Sequence, residues 1–286
     1  MTFYPLTCAD PHGSHKIVYT QWGDPTNSEV VVCLPGLTRN RHDFDSLAPV
    51  LAADYRVICP DIVGRGESDW LAAPEDYGYA LYVADMLTLL ESIKVDKIDL
   101  VGTSLGGIIG MMLAARPDSP IRRLVINDVG PLIPKEALRR IAFYLTKSPP
   151  YFATLNEVEK YLRSNYAQFG PLTDAQWQHL AQHSAQLTEE GNYRLAYDPN
   201  IAKTLQQVVL LKDVDLWSIW NTISCPVLVL HGEQSDVLQT ETIQQMQATH
   251  PNTQAVTFEG IGHAPALLNE QQITVVKEWL QSRIGN

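Results

Sequence analysis

Residues 99–110 read DLVGTSLGGIIG. An apolar run leads into a serine with a glycine two positions away on each side, and a second apolar run rich in small residues follows. A flexible loop, a phosphate cradle, a membrane span and a catalytic turn all use glycine, for different physical reasons. Residues 102–106 have the form G-x-S-x-G. Where a strand passes sharply into a helix, that pattern pushes the serine hydroxyl out at the carboxyl edge of a sheet. Side chains at the two glycine positions would clash there, and the helix directs its first amides toward charge developing beside the hydroxyl. The motif therefore requires a strand before Ser104 and a helix after it.

The neighbouring sequence supplies both. DKIDLVG (96–102) reads as a strand and SLGGIIGMMLAAR (104–116) as a helix. Phosphate binding is disfavoured, because neither G-x-G-x-x-G nor the lysine of G-x-x-x-x-G-K-[ST] is present. Residues 100–115 are uncharged, but they fall short of the roughly 20 residues a membrane span needs, and glycines interrupt them early.

Outward from this point, short apolar strands alternate with helices. KIVYTQWG (16–23), SEVVVCLPG (28–36), DYRVICPDIVG (54–64), RRLVINDVG (122–130), CPVLVLHG (225–232) and TQAVTFEG (253–260) read as strands. Segments 42–53, 79–94, 240–250 and 270–283 carry helical spacing. This alternation implies crossover units and a mostly parallel sheet covered on both faces. Between 131 and 215 it breaks. Three helical segments follow one another there, two of them opening with Thr154–Glu157 and Thr173–Gln176 in capping-box spacing. No buried β-branched run appears in it until Val208-Val209. The expectation is a core of residues 1–130 and 216–286 carrying a mainly helical insertion at 131–215, the usual form of a lid.

Composition narrows the function classes. The 286 residues are 45% hydrophobic and 19% charged, with a formal net charge of -11, which argues against a nucleic-acid partner. The four cysteines form no C-x-x-C pair and no metal-like spacing with histidine, and Cys33 and Cys59 lie inside apolar runs as small buried hydrophobes. The first residues lack the basic-then-apolar pattern of a secretory signal, so a cytoplasmic setting is expected, with no membrane partner.

A nucleophilic serine needs a base, an orienting acid and an oxyanion site. His263, in FEGIGHAPAL (258–267), follows the last strand on a glycine-bearing loop and is the expected base. His231 ends a strand and is expected to be packed. His12, His15, His42, His179, His183 and His250 lie in polar loops or on helices and are expected to be solvated. The expected acid is Asp236 in HGEQSDVL (231–238), with Asp128 in VINDVGP (125–131) as second candidate. The order Ser104, Asp236, His263 is the serine–acid–histidine order of one hydrolase architecture. The oxyanion donors are expected to be the backbone N–H groups of Leu105 and, from LPGLTRN (34–40), Leu37. Arg39 and Arg41 in that loop read as solvated surface charges.

Taken together, these segments resemble the α/β-hydrolase superfamily along essentially the whole chain. VGTSLGG is similar to its nucleophile elbow, PDIVGRGESD (60–69) to its D-x-x-G-x-G-x-S loop, and CPVLVLHGEQSDVL and GIGHAPAL to its acid and histidine segments. Pro35-Gly36 stands where many members have His-Gly. The resemblance implies an eight-stranded, mostly parallel sheet with flanking helices and a helical cap, and hydrolysis without a metal or organic cofactor. It points to a serine esterase acting on a small or medium carboxylic ester. A lactone, a thioester or a C–C bond beside a ketone would suit the same triad. Acyl transfer, or ligand binding without turnover, stays open on the sequence alone. Aromatic residues between Phe143 and Trp177, with Trp217 and Trp220, are the pool from which a pocket would be lined. Oligomeric state is not encoded legibly.

Overall fold

A computed structural model describes residues 1–145, 150–203 and 212–282. Eight strands form one sheet: β1 (Thr2–Asp10), β2 (Gly13–Trp22), β3 (Val30–Leu34), β4 (Arg56–Asp61), β5 (Ile98–Thr103), β6 (Ile121–Asn127) and, after four short strands elsewhere, β11 (Val227–Gly232) and β12 (Thr253–Phe258). Their spatial order is β1-β2-β4-β3-β5-β6-β11-β12. Every pairing from β4 to β12 is parallel, and only the β1–β2 hairpin and the β2–β4 contact are antiparallel.

The β-branched run VVVCL shows why the sheet is covered twice. All five residues of β3 are buried. Val30, Val32 and Leu34 join the apolar cluster on one face, and Val31 and Cys33 the cluster on the other, as the two-residue period of a strand requires. Helices α1 (Leu47–Leu51) and the closing helix Glu270–Gln281 cover the second face, through Leu47, Leu51, Val276 and Trp279. The first face is covered by α2 (Tyr79–Ser92) and α3 (Leu105–Ala114). β1 was not expected as a strand. It is a mostly exposed edge strand with one buried residue, Cys8, so it has no apolar run to betray it.

Among the described residues, the chain between β6 and β11 contributes no strand to this sheet. It opens and closes with an antiparallel pair, β7 (Leu132–Ile133) with β10 (Val214–Asp215). Between them lie α4 (Lys135–Leu145), α5 (Leu155–Asn165) and α6 (Asp174–His183). The Thr154 side chain caps α5 through the Glu157 N–H, and Thr173 with Gln176 forms a reciprocal capping box on α6. A small hairpin, β8 (Ala185–Leu187) with β9 (Tyr193–Leu195), interrupts the helical pattern and was not foreseen. Val208-Val209 lies outside the described residues. Among the described residues, no helix is long and apolar enough to cross a membrane.

Candidate active site

Ser104 stands between β5 and α3 with φ 51° and ψ −110°. A non-glycine residue in that region is strained and persists only where its surroundings hold it. The flanking glycines explain how. A Cβ on Gly102 would lie 2.3 Å from the Gly106 carbonyl oxygen, and one on Gly106 would lie 2.2 Å from that of Leu34. Helix α3 therefore starts pressed against β3 and β5, and the serine has no alternative but to project. The Ser104 N–H donates to the Asn127 carbonyl at the end of β6 (2.9 Å), which ties the turn to the next strand.

The His263 imidazole meets this hydroxyl, its Nε2 lying 3.0 Å from Ser104 Oγ. On its other side, Nδ1 lies 2.8 Å from Oδ2 of Asp128, not of Asp236. Asp128 directly follows β6, is fully buried, and has φ 58°, a conformation that aspartate tolerates better than most residues. Its second oxygen, Oδ1, accepts the Gly232 N–H at 2.8 Å, and its own N–H donates to the Leu230 carbonyl at 2.8 Å. The neighbouring strand β11 thus holds this residue by both its carboxylate and its backbone. Asp236 is drawn elsewhere: its half-exposed carboxylate accepts two hydrogen bonds from Arg140 of α4, at 2.5 and 2.7 Å. The expectation for the acid is corrected accordingly, and the second candidate takes the position.

Leu105 is the first residue of α3, so its N–H has no acceptor within the helix. Leu37 follows Gly36 in a turn closed by the Arg39 N–H on the Gly36 carbonyl (3.1 Å). A Cβ on Gly36 would lie 3.9 Å from Ser104 Cβ, so this loop runs beside the serine. Arg65 fixes it from below, donating Nε–H to the Leu37 carbonyl at 2.8 Å. Arg65 comes from the loop after β4, whose glycines and serine the sequence singled out without indicating this contact.

The arginines of the same loop are not surface charges. Arg39 is buried, held by Asp43 and by Ser184 Oγ (2.7 Å), and Arg41 is buried against Asp61 and Glu67. The inserted segment docks here. Tyr166 Oη lies 3.0 Å from Thr38 Oγ1, and Asn40 Nδ2 donates to the His183 carbonyl at 2.7 Å. Next to the catalytic candidate His263, the Gly262 N–H donates to the Gln168 carbonyl at 2.7 Å.

Among the remaining histidines, His231 is packed as expected, with Nε2 3.1 Å from the Leu238 carbonyl. The expectation of solvation fails for His15 and His250, which are buried. It also fails for the group where the insertion meets the loop. His42 and His183 stack at 3.8 Å, and His179 lies 4.6 Å from His183. Burial and the neighbouring His42 and His179 push His183 down to about 4.

A serine hydroxyl, an imidazole and a buried carboxylate are thus joined in series beyond the carboxyl ends of the parallel strands. The chain belongs to the alpha/beta hydrolase fold family, which matches residues 29–270. It is 41% identical over 281 residues, 96% of each chain, to the 3-hydroxybutyrate-oligomer hydrolase of Cupriavidus necator. Among solved structures it resembles a putative hydrolase from Rickettsia typhi (34% identity, 99% of this chain and 100% of the other, TM-score 0.93). An alpha/beta hydrolase from Novosphingobium aromaticivorans is also similar (34% identity, 98% of each chain, TM-score 0.86).

Proposed function

We propose that the chain is a serine esterase that cleaves short oligoesters of a small hydroxy acid through an acyl-enzyme on Ser104. The observation that carries this reading is the continuous hydrogen-bonded series Ser104–His263–Asp128. Ser104 Oγ attacks the ester carbonyl carbon while its proton passes to His263 Nε2. Asp128 accepts the Nδ1–H bond, holds the tautomer and stabilises the imidazolium as it forms. The carbonyl oxygen becomes an oxyanion facing the Leu37 and Leu105 N–H groups. Collapse of the tetrahedral adduct breaks the C–O bond, and the departing alkoxide takes the proton from His263. Water then repeats the sequence, releasing the carboxylic acid and restoring Ser104. Residues 131–215 serve as the cap over this centre.

The substrate class rests on the similarity to the 3-hydroxybutyrate-oligomer hydrolase, which runs along 96% of both chains. It agrees with the small or medium carboxylic ester expected from the motifs. The test is hydrolysis of 3-hydroxybutyrate dimer and trimer beside p-nitrophenyl esters of graded acyl length, with product identified as free acid. The expected result is turnover of the oligomers that Ser104→Ala abolishes. Turnover of p-nitrophenyl esters with none of the dimer or trimer would remove the substrate class and keep the esterase. Turnover of both that survives Ser104→Ala would remove the mechanism.

A further inference from the structure

At the hairpin edge of the sheet, three buried side chains with metal-ligating atoms converge. Cys8 on β1 and His15 on β2 are direct cross-strand partners, so their side chains share one face. Asp85 on α2 reaches the same point. The cysteine sulfur, a histidine nitrogen and a carboxylate oxygen all lie within 4.8 Å of one another. All three residues are at most 4% exposed. His15 Nε2 is 3.0 Å from Asp85 Oδ2, and His15 Nδ1 is 3.3 Å from Asp10 Oδ2. The second Asp85 oxygen, Oδ1, is buried and finds no hydrogen-bond partner.

We propose that Cys8, His15 and Asp85 form a binding site for one structural zinc-like divalent ion. Sulfur, imidazole and carboxylate together suit a borderline-soft transition metal and do not suit magnesium or calcium, which take oxygen donors. The three side chains supply three donors and leave the fourth position to a water, and a cation there removes the cost of the Asp85 oxygen Oδ1 left unpaired in an apolar core. Asp10 sits where an outer carboxylate belongs, on the ring nitrogen that does not face the ion, fixing the tautomer that presents Nε2. Two donors from a hairpin and one from the helix packed on it also make a clamp, joining the exposed edge strand β1 to the core. A cavity of about 260 Å³ lined by Asp10, His12, His15, Asp69 and Asp76 opens beside the cluster, and its acidic mouth favours entry of a cation. The sequence concealed the set, because the seven-residue separation of Cys8 and His15 becomes a contact only once the hairpin register is known.

The test is spectroscopic and independent of activity. Reduced, chelator-treated protein is titrated with Co²⁺ and then with Zn²⁺. The expected result is one equivalent of Co²⁺ with a thiolate-to-cobalt charge-transfer band and tetrahedral visible bands, displaced by Zn²⁺, with a rise in melting temperature. Cys8→Ser removes the charge-transfer band, and Asp10→Asn weakens zinc binding about 10–100-fold. If Cys8→Ser does not fold, the wild-type cobalt spectrum decides, with Asp85→Asn as the second variant expected to weaken it. Three results overturn the proposal. One is no stoichiometric uptake, which leaves a buried His15–Asp85 ion pair beside a packed thiol. Another is cobalt bound without a thiolate band, which places the ion elsewhere, for instance on His42, Asp45 and His183. The third is a band that survives Cys8→Ser.

Discussion

His263 Nδ1 lies 2.8 Å from Oδ2 of Asp128, a residue 135 positions earlier in the chain, while Asp236, nearer in sequence, pairs with Arg140. The contact has a structural cause. Strands β6 and β11 are parallel neighbours, so the residue just past β6 comes beside the end of β11, where Gly232 donates to its carboxylate. Asp128 is thereby buried and aimed at the loop after β12 that carries His263. Asp236 lies further out on its loop, where Arg140 reaches it.

This relationship separates two aspartates by kinetics. Asp128→Asn keeps the shape but leaves the imidazole without a carboxylate to set its tautomer, so turnover of p-nitrophenyl butyrate should fall by roughly 10⁴-fold. Asp236→Asn should retain activity within a few-fold. The reverse ranking would return the acid to the loop after β11.

How much of this was legible can be judged from the same residues. Ser104 and His263 declared themselves through local features, glycines at fixed offsets and a position just past an apolar strand. Asp128 and Asp236 both follow apolar strands, and both preserve the serine–acid–histidine order. Choosing between them needs the knowledge that β6 and β11 are adjacent and that Gly232 has an N–H to give, which no local pattern encodes. Arg39 and Arg41 misled for a related reason: their partners Asp43, Ser184, Asp61 and Glu67 are mostly distant in sequence, so a charged loop looked solvated. The parallel core was readable because residues buried on both faces must be continuously apolar. Edge strand β1, largely exposed, and the hairpin β8–β9, short and mostly half-buried, leave no such trace.

The elbow should be intolerant of a single methyl group. A Cβ at residue 106 would fall 2.2 Å from the Leu34 carbonyl oxygen, which belongs to a central strand and has no room to retreat. Gly106→Ala should cost about 3 kcal/mol. Urea unfolding checks this, with a lower midpoint at unchanged slope. A midpoint equal to wild type would contradict the packing described.

Docking of the inserted segment should contribute to substrate affinity. Tyr166→Phe removes the hydrogen bond to Thr38, an interaction worth about 1 kcal/mol, and with it one tie between the segment and the loop beside Ser104. The expected result is a KM raised several-fold with kcat little changed. A fall in kcat alone would instead place Tyr166 in the chemistry.

Acid should loosen the same junction. Burial, with His42 and His179 close by and Arg41 adding to them against Asp45, lowers His183 from its ordinary 6.5 to about 4. The unfolded chain takes up this proton near pH 6.5 and the folded chain only near pH 4. The stability linked to His183 is therefore whole above pH 6.5 and is lost as pH falls toward 4. His183→Phe keeps a ring to stack on His42 and removes the proton. Its melting temperature should fall less steeply than that of wild type between pH 6.5 and 4.5, and parallel curves would exclude His183 as the source.

The nucleophile itself is open to the most direct measurement, mass-spectrometric mapping of the residue that a fluorophosphonate modifies. A single adduct on Ser104, formed rapidly in the wild type, much slower in Asp128→Asn and lost in His263→Ala, is the expected result. An adduct on another residue, or labelling of Ser104 that is undiminished when His263 is removed, would contradict the account.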